Sequence, residues 1–164
     1  MRFLLSVMTI SFLTCFNTYG QSILNSEFQW IEYQDCLPHE LSSIEVFAKV
    51  EQDPILTQFD ESRFEQFIQK SLSSLNLTSN QNGVLKLKLL FANNQNLCIK
   101  AIGAKNLSLS ENQAVEFSKS LNSIDKFERG RQKDLPVNCQ GILYLFVENG
   151  KLRKLRNVNF QFLD

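Results

Sequence analysis

An alternation of large apolar residues in the middle of the chain constrains its fold most. Leucine or phenylalanine occupies every second position from Leu85 to Phe91, with Lys86 and Lys88 between them, which is the period of a strand with one buried face. Asn93 to Asn96 tolerates left-handed backbone and Leu97 to Ile102 is apolar again, so the pattern predicts a four-residue loop between two antiparallel strands. Because two strands alone bury too little apolar surface to be stable, we expect helices to pack against the leucine face.

Two amphipathic helices are predicted on either side of this hairpin. Ser62 and Ser110 each stand three residues before a glutamate or glutamine, the spacing of a capping box. Apolar residues with helical spacing follow: Phe64, Phe67, Ile68, Leu72 and Leu75 in the first helix, and Ala114, Phe117, Leu121 and Ile124 in the second. We expect the first helix to cover the leucine face mainly through Phe67 and Ile68.

The C-terminal third predicts two more strands. Lys126 to Pro136 is polar and is expected to be a loop, whereas Val137 to Val147 is strongly apolar and predicts a third strand, with a bulge at Gly141. The dipeptide Asn149-Gly150 favours a tight turn, so Leu152 to Phe162 is expected to fold back as a fourth strand. The predicted fold is α+β, with an antiparallel three- to four-stranded sheet and two helices on one face.

The first twenty residues have the pattern of an export signal. Arg2 precedes an apolar run from Phe3 to Phe16, and small residues stand near Gly20, where a signal peptidase would cut. An uncleaved anchor and a lipid on Cys15 are the alternatives. The expected organisation is a signal peptide at 1–20, an N-terminal extension at 21–45 that packs its aromatic residues on the domain, and a folded domain at 46–164.

Three cysteines remain after such a cleavage: Cys36, Cys98 and Cys139. Two of them can form a disulfide in an oxidising compartment, and all three pairings stay open. Cys36 and His39 have the spacing of half a metal site, and they are also the only candidates for a nucleophile beside a base. Because no other histidine or nearby cysteine completes either site, we predict no metal, no cofactor, no catalysis and no small-molecule substrate.

Charge is balanced over the whole chain but segregated along it. The sequence has 17 basic and 17 acidic residues, and this neutrality argues against nucleic acid as a partner. Glu27 to Glu65 is mostly acidic, whereas Lys126 to Arg156 is mostly basic. The cluster Leu152 to Arg156 is suited to contact an acidic surface, the alternative being a solvated strand end.

Three segments are similar to the C-terminal domain of the TonB family of energy transducers. Its entry arm resembles VFAKVEQDPIL (Val46 to Leu56), and its first helix resembles FEQFIQKSL (Phe64 to Leu72). The third segment is FERGRQKDLPV (Phe127 to Val137), which has an aromatic first residue, Gly130 at the family's glycine and Pro136-Val137 at the start of the last strand. The hairpin fits the two central strands, so the resemblance implies a TonB-like split β-α-β fold.

Several features depart from that family's pattern. Arg129 stands at the usual proline, Asp134 at the usual second glycine, and the loop Asn93 to Asn96 replaces the turn glycine of the hairpin. No tyrosine-proline pair follows the first helix, and a signal peptide leads almost directly into the domain without a membrane anchor or proline-rich spacer. The resemblance therefore implies a free-standing, exported, periplasmic TonB-like domain and not a complete transducer.

Such a domain is expected to bind a protein partner by strand addition to a sheet edge. The resemblance places this edge on the third strand, whose candidate partner-binding residues are Leu143, Tyr144, Leu145, Phe146 and Val147. The partner would be an extended segment, such as one from an outer-membrane receptor, with a link to receptor-dependent transport. The alternative is a structural or stress-related envelope protein with no transport role. If Leu152 to Phe162 pairs with the third strand, the chain itself occupies this edge.

Overall fold

Two helices and an antiparallel sheet form the domain in the computed structural model of the chain. The structure describes residues 27–32, 45–92 and 97–163. The helices are α1 (Glu61–Leu72) and α2 (Glu111–Leu121). The strands are β1 (Gln29–Glu32), β2 (Ile55–Leu56), β3 (Gly83–Phe91), β4 (Cys98–Lys105), β5 (Phe127–Glu128), β6 (Arg131–Gln132), β7 (Leu135–Pro136), β8 (Cys139–Glu148), β9 (Lys151–Val158) and β10 (Gln161–Phe162). The predicted α+β class is confirmed.

The main sheet has five strands in the order β1-β4-β3-β8-β9, and every neighbouring pair is antiparallel. The predicted hairpin is confirmed, because β3 pairs with β4 from Val84 to Leu90. A register shift after Lys88 leaves Lys100 without an opposite residue in this ladder. The predicted loop Asn93 to Asn96 lies outside the described residues. β3 therefore lies at the centre of the sheet, with two strands on each side.

The core lies between the two helices and one face of this sheet. Leu85, Leu87, Leu89 and Phe91 of β3 are at most 1% exposed. They belong to one cluster with residues of β8 and of both helices: Leu143, Leu145, Val147, Phe64, Ile68, Leu72, Ala114, Phe117 and Leu121. Burial of each leucine, isoleucine, valine or phenylalanine side chain in this cluster stabilises the fold by about 1.5 to 3 kcal/mol. Both helices therefore cover the same face of the sheet, as predicted.

The predicted N-terminal cap is confirmed for α2 but not for α1. At α2 the predicted capping box is confirmed, since the Ser110 hydroxyl accepts from the Gln113 amide and the Gln113 side chain accepts from the Ser110 amide. At α1 the predicted cap at Ser62 is wrong. The cap is Asp60, whose carboxylate accepts from the Arg63 amide at 2.8 Å. A carboxylate at this position also interacts favourably with the helix dipole, so the helix begins two residues earlier.

The structure corrects two predictions about the sheet. The N-terminal extension contributes β1, which pairs with β4 and makes a fifth strand where three to four were predicted. Gly141 marks no bulge, because the ladder between β3 and β8 runs through it without a shift. A Cβ atom at Gly141 would lie 2.9 Å from ring atoms of both Phe160 and Phe91. Glycine at this position therefore makes room for two rings.

The segment predicted as the loop Lys126 to Pro136 contains three short strands. β6 and β7 form a hairpin whose turn residues, Lys133 and Asp134, have φ values of 50° and 62°. Two positive φ values define a turn that closes tight hairpins, but lysine there is no turn signal in a sequence. β5 joins a second sheet in the order β10-β2-β5. This small sheet ties the N-terminal arm to the C-terminal tail.

Two apolar side chains of α1 differ in burial, so their alanine variants should differ in stability. Ile68 is 0% exposed, whereas Phe67 lies at the margin of the core and stacks on Phe59 at 5.2 Å between ring centroids. We expect Ile68→Ala to lower the free energy of unfolding by about 2 to 5 kcal/mol. Phe67→Ala should cost less, because a half-buried site leaves no closed cavity. Urea denaturation of both variants measures this.

The exposed Gln66 supplies a control on the same helix, since Gln66→Ala should change stability by at most about 0.5 kcal/mol. A larger loss for Phe67→Ala than for Ile68→Ala would contradict the packing of α1 described above.

Candidate functional site

The residues expected to bind a partner strand lie in the interior of the sheet. β8 pairs with β3 on one side and with β9 on the other. Leu143, for example, lies opposite both Leu87 and Asn157. The predicted fourth strand after Asn149-Gly150 is therefore confirmed over Lys151–Val158, which is β9. Leu143 to Val147 has no free main-chain edge in this structure.

The side chains of the same five residues alternate between the two faces of the sheet. Leu143, Leu145 and Val147 are at most 4% exposed and belong to the core. Tyr144 and Phe146 lie on the opposite face and are half-buried. A partner strand could therefore reach the main chain of β8 only if β9 first detached.

The tail after β9 holds this strand in place. Asn159, with a φ of 60°, turns the chain out of β9, and its side chain donates to the Ala48 carbonyl at 3.0 Å. Phe160 is 2% exposed, and its ring centroid lies 5.7 Å from that of Phe91. β10 then pairs with β2. Detaching β9 from the sheet would expose Phe160 and Leu155, at a cost of about 1.5 to 3 kcal/mol for each side chain.

This anchoring predicts how amide exchange responds to a change in the tail. Phe160→Ala should speed the exchange of amides in Lys151–Val158, because β9 then loses its buried attachment. The exchange of the central β3 amides should change much less. Hydrogen exchange followed by mass spectrometry measures both segments in one sample, and unchanged exchange in β9 would show that Phe160 does not anchor it.

Two strands lie at the ends of the five-stranded sheet, β1 and β9. β9 exposes a run of cationic side chains: Lys151, Arg153, Lys154 and Arg156. Arg153 is paired with Glu148 at 2.8 Å. At the start of the strand the Leu152 amide donates to the Gln69 side chain at 2.9 Å, so α1 covers that end. No described strand lies beyond the rest of β9.

The side of the sheet away from the helices, which we call the open face, carries both cations and aromatic rings. The alternation that buries the leucines of β3 places Val84, Lys86 and Lys88 on this face. One line of register partners crosses all five strands here, and we call it the central row: Trp30, Gly103, Lys86, Tyr144 and Arg156. The rows beside it place Lys105, Phe146 and Lys154 on the same face.

Two lysines of the open face, Lys86 and Lys88, lie close to aromatic rings. The Lys86 ammonium is 5.8 Å, 5.7 Å and 5.4 Å from the ring centroids of Phe28, Trp30 and Tyr144. The Lys88 ammonium is 4.4 Å from that of Trp30. Such contacts are favourable by about 0.5 to 1 kcal/mol each at exposed sites. They attach β1 to the sheet and hold the ammonium groups at the surface.

Glycine opposite Trp30 makes this arrangement possible. A Cβ atom at Gly103 would lie 3.1 Å from two atoms of the Trp30 ring. The indole therefore lies directly over the Gly103 backbone, and 39% of Trp30 remains exposed. The alternating lysines of β3 are visible in the sequence, but no local pattern indicates that Trp30 lies opposite Gly103.

A cleft of about 550 Å³ lies beside the small sheet. Its lining is Lys49, Val50, Glu51, Gln52, Asp53, Ile55, Glu128, Arg129, Arg131, Asn159 and Gln161. This lining has charges of both signs and no histidine, cysteine or hydroxyl side chain. Within the described residues no cluster of histidine, cysteine and carboxylate side chains is suited to hold a metal ion. The candidates Cys36 and His39 lie outside those residues.

The two cysteines among the described residues, Cys98 and Cys139, are in different states. Cys98 of β4 is disulfide-bonded, and its partner lies outside the described residues. Cys139 of β8 is a free thiol that is 1% exposed. Burial raises the pKa of the Cys139 thiol, because an apolar surrounding disfavours the thiolate. Neither pairing that uses Cys139 is present.

These states predict the order of thiol labelling. Cys139 should react very slowly with iodoacetamide at neutral pH in the folded protein, because the raised pKa and the burial both remove reactive thiolate. It should react fully in denaturant, whereas Cys98 should react only after reduction. Peptide mass mapping distinguishes the two sites. Rapid labelling of Cys139 in the native protein would contradict its burial.

α1 and α2 have 12 and 11 residues, and no helix among the described residues is long and apolar enough to cross a membrane. Searches with the whole chain against protein-family models, curated proteins and solved structures gave no significant match.

Proposed function

We propose that the chain is an exported, periplasmic interaction domain, related to the C-terminal domains of TonB transducers, that binds a protein partner by strand addition at β9. The element order α1-β3-β4-α2-β8, with β3 between β4 and β8 and both helices on one face, is the arrangement that the resemblance implies. It supports that relationship. The disulfide at Cys98 supports an oxidising compartment.

The observation that carries this proposal is the position of β9 at the end of the sheet. It is eight residues long, and beyond the end that Gln69 covers, no described strand pairs with its outer side. An edge strand offers main-chain N–H and C=O groups at every second residue. An extended segment that pairs there gains main-chain hydrogen bonds, and its alternate side chains determine specificity.

The charges on β9 favour an acidic partner. Lys154 and Arg156 are exposed and form no ion pair with another described residue. Opposite charges on neighbouring strands stabilise pairing, whereas like charges directly opposite each other oppose it. Pairing between the β9 strands of two copies would bring cations together. The edge therefore accepts an acidic segment and disfavours self-association.

β1, the strand at the other end of the sheet among the described residues, is less suitable. β1 has four residues, which allows few main-chain hydrogen bonds, and it ends on Glu32, which would repel an acidic segment. The partner expected from the resemblance, a segment of an outer-membrane receptor, would on this proposal carry acidic residues at alternate positions and bind along β9.

Site-specific crosslinking in intact cells tests the proposal. The change is Lys154→p-benzoylphenylalanine, and the matched control is Lys119→p-benzoylphenylalanine on the exposed side of α2. On illumination we expect Lys154→p-benzoylphenylalanine to crosslink to an extended acidic segment of an envelope protein, and the control to give no such product. Mass spectrometry of the crosslinked peptide identifies the segment. In the same assay, charge reversal at Arg156 (Arg156→Glu) should reduce capture by about tenfold or more, because like charges then face each other.

Two outcomes would reject this function. A crosslink to the same partner from the control position, or from Gln29 of β1 alone, would move the contact away from β9. No crosslink from either edge would favour the alternative, a structural or stress-related envelope protein without a transport role.

A further inference from the structure

Strand addition at β9 involves Lys154 and Arg156 and leaves the rest of the open face unused. This face carries a group of cations that form no ion pair with another described residue: Lys86, Lys88, Lys105, Lys154 and Arg156. Among the described residues, the acidic ones on the strands of this face are Glu32, at the edge, and Glu148, which is paired with Arg153. The described strands therefore give the open face an excess of positive charge, although the chain as a whole has a formal net charge of +0.

We propose that the open face binds an acidic polysaccharide, with the sugar chain lying across the strands along the central row. From one edge to the other this row presents a ring (Trp30, which covers Gly103), a cation (Lys86), a second ring (Tyr144) and a second cation (Arg156). Rings and cations thus alternate in the direction perpendicular to the strands. A polymer that repeats both an apolar ring face and a negative charge is complementary to this order.

The rings and the cations of the central row have different chemical roles. The face of an aromatic ring is electron-rich, so it attracts the C–H bonds on the face of a sugar ring. The Trp30 ring, which lies over Gly103, is exposed and can make such a contact. A carboxylate on the sugar accepts charge-assisted hydrogen bonds from Lys86 or Arg156. These two residues are two strand spacings apart, about 10 Å, so they engage charges on different units of the polymer.

The shape of the site favours a polymer over a membrane surface. Three aromatic side chains of this face are half-buried: Phe28, Tyr144 and Phe146. Aromatic residues that anchor a protein in a bilayer instead project from its surface. A five-stranded sheet is also twisted, so a planar bilayer would touch only part of it, whereas a flexible chain can follow the twist. Nucleic acid is disfavoured because its affinity depends on many closely spaced phosphate contacts, whereas the central row offers two cations, Lys86 and Arg156.

Binding of the full chain to polygalacturonate, measured by isothermal titration calorimetry at low salt, tests this proposal. Fully methyl-esterified galacturonan is the matched control ligand, since it keeps the sugar rings and removes their charges. We expect binding of polygalacturonate, weakening as salt is added, and at least about tenfold weaker binding of the esterified polymer.

Variants then locate the site. Arg156→Gln with Lys86→Gln should weaken binding by about tenfold or more, and Trp30→Ala by about three- to tenfold. Lys70→Gln with Lys126→Gln removes two exposed cations outside the open face and should leave binding unchanged. Because Lys86 and Trp30 also attach β1, Arg156→Gln alone and Lys154→Gln alone are tested as well, and each should weaken binding. Thermal unfolding of every variant confirms that it is folded.

Several results would overturn the proposal. These are no binding of polygalacturonate, equal binding of the esterified polymer, and unchanged binding by the folded Arg156→Gln and Trp30→Ala variants. Tighter binding of an oligothymidylate, or of phosphatidylglycerol vesicles, at equal concentration of negative charge would overturn it in favour of nucleic acid or a membrane. Trp30→Ala should not affect crosslinking at β9, so the two proposed sites can fail independently.

Discussion

The structure depends on the burial of one side of the central strand. β3 is paired on both edges, and Leu85, Leu87 and Leu89 lie under both helices. A shift of one residue in the register of β3 would exchange its two faces and bring lysines into the core. The same alternation that builds the core therefore fixes Lys86 and Lys88 on the open face. The surface proposed to bind a ligand is a direct consequence of how the fold is stabilised.

Elements with a strong local pattern could be predicted from the sequence. β3 alternates regularly from Leu85 to Leu89, and α2 has a capping box before an apolar stripe. Asn149-Gly150 supplies a turn whose φ values of 54° and 73° few other residue pairs adopt. At α1 the pattern indicated the helix but not its first residue. Both Asp60 and Ser62 are residue types that cap helices well, and it is Asp60 that has the extended backbone of a cap, with φ −71° and ψ 167°.

The short strands could not be predicted, because their formation depends on distant partners. β2, β5 and β10 have two residues each, too few to show a period, and each forms only because the others are held nearby. β1 is similar: its four residues alternate poorly, and it pairs with β4, which lies about seventy positions later in the chain. Pairing between distant segments is decided by the packed core and not by local preference. The central row, which spans all five strands, was invisible in the sequence for the same reason.

The two proposed surfaces meet on β9, and this has a physical consequence. Lys154 and Arg156 lie on the edge strand, and their side chains belong to the open face. A partner strand added to β9 would extend the open face by one strand, and its alternate side chains would lie beside Arg156. An acidic residue there would neutralise the cation that an anionic polymer also needs. The two ligands would then weaken each other's binding by the same factor, since coupling between two sites is reciprocal. If the partner is instead apolar at that position, it adds surface to the row and both ligands bind together. The sign of the coupling therefore depends on a single position of the partner segment, the one opposite Arg156.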